Sequence, residues 1–365
     1  MLASQSAPDY SNEGMPAVIG HRRGVKICGI MPSNTAVVCG VPSSTAPVST
    51  WAKVRKYAVP VFGIVVLGLL ISNAHKVDWH GAWQALKAYP PLLLRSVLGL
   101  AVASHALYGC FDLIGQHHTR HRLPRWETWA IAVTSYAFTL NLGALIGGVA
   151  TRARLYARSG LDEATIAQVI GLSVATNWLG YGLVAGGLFA SGAIALPPQA
   201  RMPDGTLRVV GVLMLVLAAA YVVACRIWQG RQWRIKGRQV KLPPPGIALL
   251  QMSVAAVNWS LMGAAVYLLL GGQVAYGTAL GVLMAASIAG VVMPLPGGIG
   301  VLEAVYLALL GGSVKQGALM GAVLAYRVIY YFVPMAAALV LYIWLDRSAP
   351  AEAKRGAVKA GVAGS

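Results

Sequence analysis

SIAGVVMPLPGGIGVLEAVYLALL, residues 287 to 310, decides how this chain is built. Apolar residues run up to it and away from it, yet its middle, MPLPGGIG at 293 to 300, cannot carry a helix through. Pro294 and Pro296 each remove a backbone donor, and Gly297, Gly298 and Gly300 loosen the chain. The sequence therefore predicts a helical hairpin over 277 to 312 that enters and leaves on one side. A second run, 127 to 150, carries a weaker version of the same break in Asn141, Gly143, Gly147 and Gly148, with a returning arm that runs on through 160.

What those hairpins enter follows from composition. Of 365 residues, 57% are hydrophobic and 11% charged, whereas a globular chain is about 25% charged. The apolar residues gather into runs at 57–72, 91–114, 127–150, 164–190, 207–225, 247–270, 277–293, 299–312 and 317–345, several of them near the ~20 residues that span a bilayer. This is an all-α polytopic membrane protein. The formal charge of +18, from 29 basic against 11 acidic residues, fits loops held in the cytoplasm by the positive-inside rule, so nucleic acid is excluded as a partner. Four cysteines, Cys28, Cys39, Cys110 and Cys225, have no spacing of a metal site or disulfide framework.

Charge parity sets the topology. If every run crossed, Arg152, Arg154 and Arg158 and the six basic residues from Arg226 to Lys241 would all lie outside. Turning 127–150 into a hairpin on the cytoplasmic side returns the second group to the inside, and a hairpin at 277–312 on the outer side places the C-terminus there too. The expected order is two spans, inner hairpin, span, then two spans, outer hairpin, span. That makes about six full spans plus two re-entrant hairpins, with the second half an inverted repeat of the first, a plan that places transporter sites near the bilayer midplane. Residues 1–50 read as a disordered tail with no signal peptide, Trp51 to Lys56 as the true start, 51–346 as the membrane domain and 347–365 as a cytoplasmic tail, both termini being inside. Asp78 to Tyr89, with Trp79, Trp83, Leu86 and Tyr89 at helical spacing, suits a helix in the outer interface; a plain connecting loop is the other reading.

Few residues could carry chemistry. Glu303 is the deepest acid, ~14 Å from the outer end at about 1.5 Å per residue, and Arg327 lies ~15 Å deep on the next span. An unpaired carboxylate there costs ~2.5 to 3.5 kcal/mol or more, so the two are expected to form an ion pair, with Glu303 also favoured by the start of its half-helix. The pair either locks two helices together or acts as a gate that opens when a lipid phosphate competes with Glu303 for Arg327. Arg152 and Arg154, followed by Tyr156, are the expected cytoplasmic docking point for an anionic head, or else plain loop arginines. Asp112, near the end of its span, is expected to be solvated or paired with the adjoining loop. His117, His118 and His121 sit among Arg120, Arg122 and Arg125 without a carboxylate or thiol nearby, which suits a cationic loop better than a metal site. GGIG lacks the GK[ST] ending of a nucleotide loop, and neither a cofactor motif nor a Ser, His, Asp constellation emerges.

The run from about 51 to 346 resembles the YbhN-type bacterial inner-membrane proteins, a branch of the family named for the lysylphosphatidylglycerol synthetase transmembrane region. The resemblance rests on YGCFDL (108–113), SYAFTLNL (135–142), RARLYARSGL (152–161), TNWLGY (176–181), the stretch at 287–310 and AYRVIYYFVP (325–334). It implies a bacterial inner-membrane location and a flippase-like membrane region that moves phospholipid, anionic or aminoacylated, between leaflets. In the synthetases a separate cytosolic domain performs the aminoacyl transfer, and no soluble segment here is long enough to be one. Two functions stay open: a lipid translocator, and a non-transporting membrane partner of phospholipid-synthesis enzymes. An intramembrane lipid-modifying enzyme is a weaker third, for want of an acid, base and nucleophile set.

Overall fold

A computed structural model describes residues 83–84, 87–193, 205–235, 238–292 and 298–348. The N-terminal tail, the run at 57–72, Trp79, Leu86, Pro294, Pro296, Gly297 and the residues after 348 lie outside that set. Within it the chain is helical apart from one short β-hairpin. Helix α1 (Pro91–Thr119) starts on a proline at its first position and ends at Arg120, whose φ of 56° closes the last turn; proline suits a helix start because the N–H it lacks would have no partner there. Helix α2 (Arg125–Leu142) ends at Gly143, φ 85°. A π-helical segment, Ala144–Ala150, then leads into α3 (Thr151–Arg158).

The long helix α4 (Glu163–Ser191) is capped by Asp162, whose carboxylate accepts the N–H groups of Ala164 and Thr165. Helix α5 (Thr206–Ile227) is followed by strands β1 (Gln232–Ile235) and β2 (Arg238–Lys241), paired antiparallel from Gln232–Lys241 to Ile235–Arg238. This hairpin is the departure from an all-helical chain, and it occupies the basic loop. Helices α6 (Pro245–Leu269), α7 (Tyr276–Val292) and α8 (Val301–Leu310) come next. The last rod joins α9 (Gln316–Tyr326), a π-helical segment (Arg327–Phe332) and α10 (Val333–Ser348).

Among the described residues five helices have the length and apolarity to cross a membrane: α1, α4, α5, α6 and the rod Gln316–Arg347. They coincide with five of the six full spans expected, the sixth being 57–72. The two hairpin regions take another form. After Gly143 the π segment packs back along α2, and so closely that a Cβ on Gly147 would meet the carbonyl of Phe138 while one on Gly148 would come to 2.7 Å from Thr139 Oγ1. In the second region α7 and α8, of 17 and 10 residues, pack on each other across the broken stretch.

Helices α1 and α6 form the centre, flanked by α2 and α4, with α5 outside on α4. Val209, Val212, Leu213, Val216 and Leu217 of α5 are exposed, as suits an apolar helix facing lipid. In lipid, apolar burial no longer drives helices together, so close contact and polar links must do it. Here Gly180 of α4 lies directly against Ala255 of α6. Gln251 joins three helices, donating to Thr176 at 2.7 Å and accepting from Tyr221 at 3.1 Å. Trp83 and Lys87, before α1, stand one turn apart with the ammonium 5.2 Å above the ring, and the Tyr89 hydroxyl donates to the Leu269 carbonyl at 2.9 Å.

Candidate functional site

Glu303 occupies the first turn of α8, where Gly300, at φ 84°, turns the chain into the helix. Its Oε2 accepts the Gly300 N–H at 2.9 Å, the acidic half of a capping box, for which glycine has no side chain to supply the other half. Both carboxylate oxygens also receive Arg327, from Nε at 2.7 Å and from Nη2 at 2.9 Å. Nη2 donates further to the Gly298 carbonyl at 2.8 Å, and the guanidinium lies 5.9 Å from the Tyr331 ring. The two side chains are 18% and 7% exposed. Arg327 thus holds the turn of the second hairpin and the acid of its returning arm in one fork, the geometry in which guanidinium also takes phosphate.

Asp112 corrects the expectation of a solvated acid near a helix end. It is fully buried, accepting the Tyr156 hydroxyl at 2.7 Å with Arg152 Nε 3.4 Å away. The reason is α3: once the first hairpin returns, Arg152 and Tyr156, one turn apart, face α1 rather than the cytoplasm. Arg152 is 3% exposed, donates to Ser173 of α4 at 3.0 Å and lies 5.7 Å from the Tyr108 ring. Its expected place as an open docking cation is therefore corrected as well, and Tyr156 shares that burial. Arg154 does face out, 60% exposed and 3.8 Å from Asp346, which Arg158 approaches to 2.5 Å.

Asn141, at the break of the first hairpin, donates to the carbonyls of Ala137, at 2.8 Å, and Tyr331, at 3.1 Å. A π-helical turn displaces carbonyls from the ordinary ladder, and Asn141 supplies one of them with a donor. The hairpin turn is thereby tied to the segment that begins with Arg327.

Between the two ion pairs lies a polar column whose members the sequence reading did not single out. Ser104 donates to Asn258 Oδ1 at 2.7 Å and shares a 2.5 Å hydrogen bond with the Tyr330 hydroxyl, which in turn lies 3.1 Å from that of Tyr136. Tyr136 stacks on Tyr108 with ring centres 3.8 Å apart, and Tyr330 stacks on Tyr326 at 4.9 Å. His105 neighbours both Tyr136 and Tyr330, 4.9 and 5.0 Å from their ring centres. A usable signal was present: Ser104 and His105 lie in the middle of the apolar run 91–114, and ionisable groups inside spans are rare. The tyrosines carried none, because a tyrosine in an apolar run reads equally well as packing.

At the end of α1, Leu113, Gln116, His117, Arg120, His121 and Arg125 line a cavity of about 470 Å³. The His121 ring lies 6.1 Å from that of Tyr156. Burial holds His121 below the ordinary histidine range, with the Asp112 carboxylate working the other way.

Fold and site together define a polytopic helical membrane protein with ion pairs inside its bundle. Comparison with known sequences places it further. The family described as "Lysylphosphatidylglycerol synthase TM region" matches residues 58–338. "Inner membrane protein YbhN" of Escherichia coli is 42% identical over 300 residues, 82% of this chain and 94% of the relative. "Uncharacterized protein slr0712" of Synechocystis is 27% identical over 301 residues, 80% and 92% of the two chains. The chain belongs to the lysylphosphatidylglycerol synthase TM region family and is a multi-pass inner-membrane protein.

Proposed function

We propose that the protein translocates an anionic or aminoacylated glycerophospholipid across the inner membrane. The observation that carries this reading is the Glu303–Arg327 fork at the turn of the second hairpin. A phosphodiester and a carboxylate present the same two-oxygen edge to guanidinium. A lipid head arriving at the turn competes with Glu303 for Arg327, releases the carboxylate and frees the returning arm. The 18% exposure of Glu303 leaves that exchange an approach, whereas Asp112 is sealed. Both hairpin regions as re-entrant elements, one from each face, and the inverted repeat they imply are part of this proposal, as is a cytoplasmic placement of both termini. Exposed Arg154, rather than Arg152, is the cytoplasmic cation left for an arriving head.

The test is the accessibility of labelled phosphatidylglycerol, cardiolipin, phosphatidylethanolamine and lysylphosphatidylglycerol heads in vesicles holding the purified protein. Transport predicts faster exchange than in empty vesicles for at least one lipid. Glu303→Gln with Arg327→Gln leaves no unpaired charge at the fork, so protein level returns while exchange stays lost. Full exchange in that double variant makes the pair a structural clamp. No acceleration for any lipid, with or without a gradient, favours instead a non-transporting partner of phospholipid-synthesis enzymes.

A further inference from the structure

His105 is the midpoint of α1, 14 residues from each end of Pro91–Thr119, or ~21 Å at about 1.5 Å per residue. It is 4% exposed. Its Nδ1 lies 2.9 Å from the Ala101 carbonyl. A carbonyl can only accept, so Nδ1 carries the hydrogen and the neutral ring keeps its lone pair on Nε2. That Nε2 is buried and makes no hydrogen bond. Several other buried side-chain atoms among the described residues share that state, but His105 is the imidazole among them at the middle of a helix, and an imidazole can take up a proton.

Burial without a carboxylate works against a standing charge on the ring, so a proton held there is transient and depends on the aromatic neighbours. The imidazole lies 4.9 Å from the ring centre of Tyr136, from α2, and 5.0 Å from that of Tyr330, from the last rod, tilted 54° to each, within the ~6 Å at which an aromatic ring attracts positive charge. From α6 come Asn258 and Met262, both neutral, and from α1 itself Ser104 and Tyr108. No carboxylate or ammonium belongs to this group. Two charges stand two aromatic rings away: Arg152 beside Tyr108, which stacks on Tyr136, and Arg327 beside Tyr331, whose ring lies 6.2 Å from that of Tyr330. Next to Tyr136 in α2, the hydroxyls of Thr134 and Ser135 are buried and unpaired too. An apolar packing role would be filled better by leucine, with no unpaired atoms, so a simple core histidine does not account for this arrangement.

We infer that His105 is a proton-binding site at the middle of a hydroxyl-lined path between the Glu303–Arg327 and Asp112–Arg152 pairs. On the translocation reading, and only there, the proton is also the ion whose gradient drives the conformational cycle. In the transfer, a hydroxyl of the Ser104–Tyr330–Tyr136 chain gives its proton to Nε2, forming an N–H bond and the imidazolium, and regains one from the next donor, so each hydroxyl ends neutral. Release toward the opposite face restores the neutral ring. Nε2 makes no bond to the chain in this state, so the transfer needs a turn of the ring about its Cβ–Cγ bond or one bridging water. The inference goes beyond lipid translocation and does not depend on which lipid moves.

The test uses the full-length protein in vesicles loaded with a pH-sensitive dye, under an imposed membrane potential, with lipid-head exchange followed in parallel. Wild type should admit protons faster than empty vesicles. His105→Gln should slow that entry by about tenfold or more, whereas exposed His117→Gln should not. Because His105→Gln could fail to fold, Tyr330→Phe, which keeps the ring and cuts the chain, is read alongside, and it should slow entry as well. Proton entry equal to that of empty vesicles, or entry unchanged in whichever of the two variants folds, overturns the inference. Lipid exchange without proton entry sinks the proton site and spares the translocator, and proton entry without lipid exchange does the reverse.

Discussion

Replacing Asp112 by asparagine separates a buried charge pair from a decorative one. The substitution keeps the shape and the acceptor for Tyr156, and removes only the charge. Arg152 then remains ionised, since guanidinium does not lose its proton in proteins, at 3% exposure with Ser173 and the Tyr108 ring as its company. Stranding a buried charge typically costs 3–5 kcal/mol. The 3.4 Å contact is longer than the 2.7–2.9 Å of a charged hydrogen bond, so we expect the lower part, about 3 kcal/mol. Arg152→Met alone strands the carboxylate and should cost a similar amount. The two changes together leave no charge and should cost less than their sum by about 2–3 kcal/mol. Arg154→Gln serves as the control: 60% exposed and 3.8 Å from Asp346, it should change stability by less than about 1 kcal/mol. Reversible denaturant unfolding in detergent, with helix content as the signal, measures all four. Additive costs, or an Asp112→Asn penalty as small as that of Arg154→Gln, would refute the view that this pair tethers α3 inside the bundle.

Gly147→Ala should destabilise by about 1–3 kcal/mol, because its Cβ meets the Phe138 carbonyl and the returning segment must lift off α2; an unshifted midpoint in the same unfolding assay would contradict that packing. His121, held below its ordinary pKa by burial, binds a proton more readily unfolded than folded. Stability should therefore fall as pH drops below about 6.5, and His121→Gln should flatten the decline, which midpoints measured from pH 8 to pH 5 will show. The Asp162 carboxyl is held below its usual range by the Thr165 hydroxyl and by backbone N–H groups at the start of α4. Its cap is intact above the unfolded pKa and is lost as pH falls through the lower folded value, so amide exchange at Ala164 and Thr165 should quicken only in that acid window, and at every pH in Asp162→Ala.

The sequence by itself determined that the chain lives in a membrane, where the five described helices long and apolar enough to cross it run, and that two regions break. Those conclusions rest on run length and on Pro and Gly chemistry, both local. It also led to the Glu303–Arg327 pair, because a charge counted inward from a helix end has a calculable depth and few partners at that depth. It misplaced Asp112 and Arg152. Counting along a helix reports distance from its end, not whether another segment covers it, and the cover came from α3 only once the first hairpin had folded back. The β-hairpin in the basic loop was missed because charge dominated the reading of residues that also alternate. Only the tertiary structure brought Ser104, His105, Tyr136, Asn258 and Tyr330 together. They come from four elements far apart in the chain, each tyrosine ordinary in its own run, and a hydrogen-bonded column exists only where the helices that supply it pack side by side.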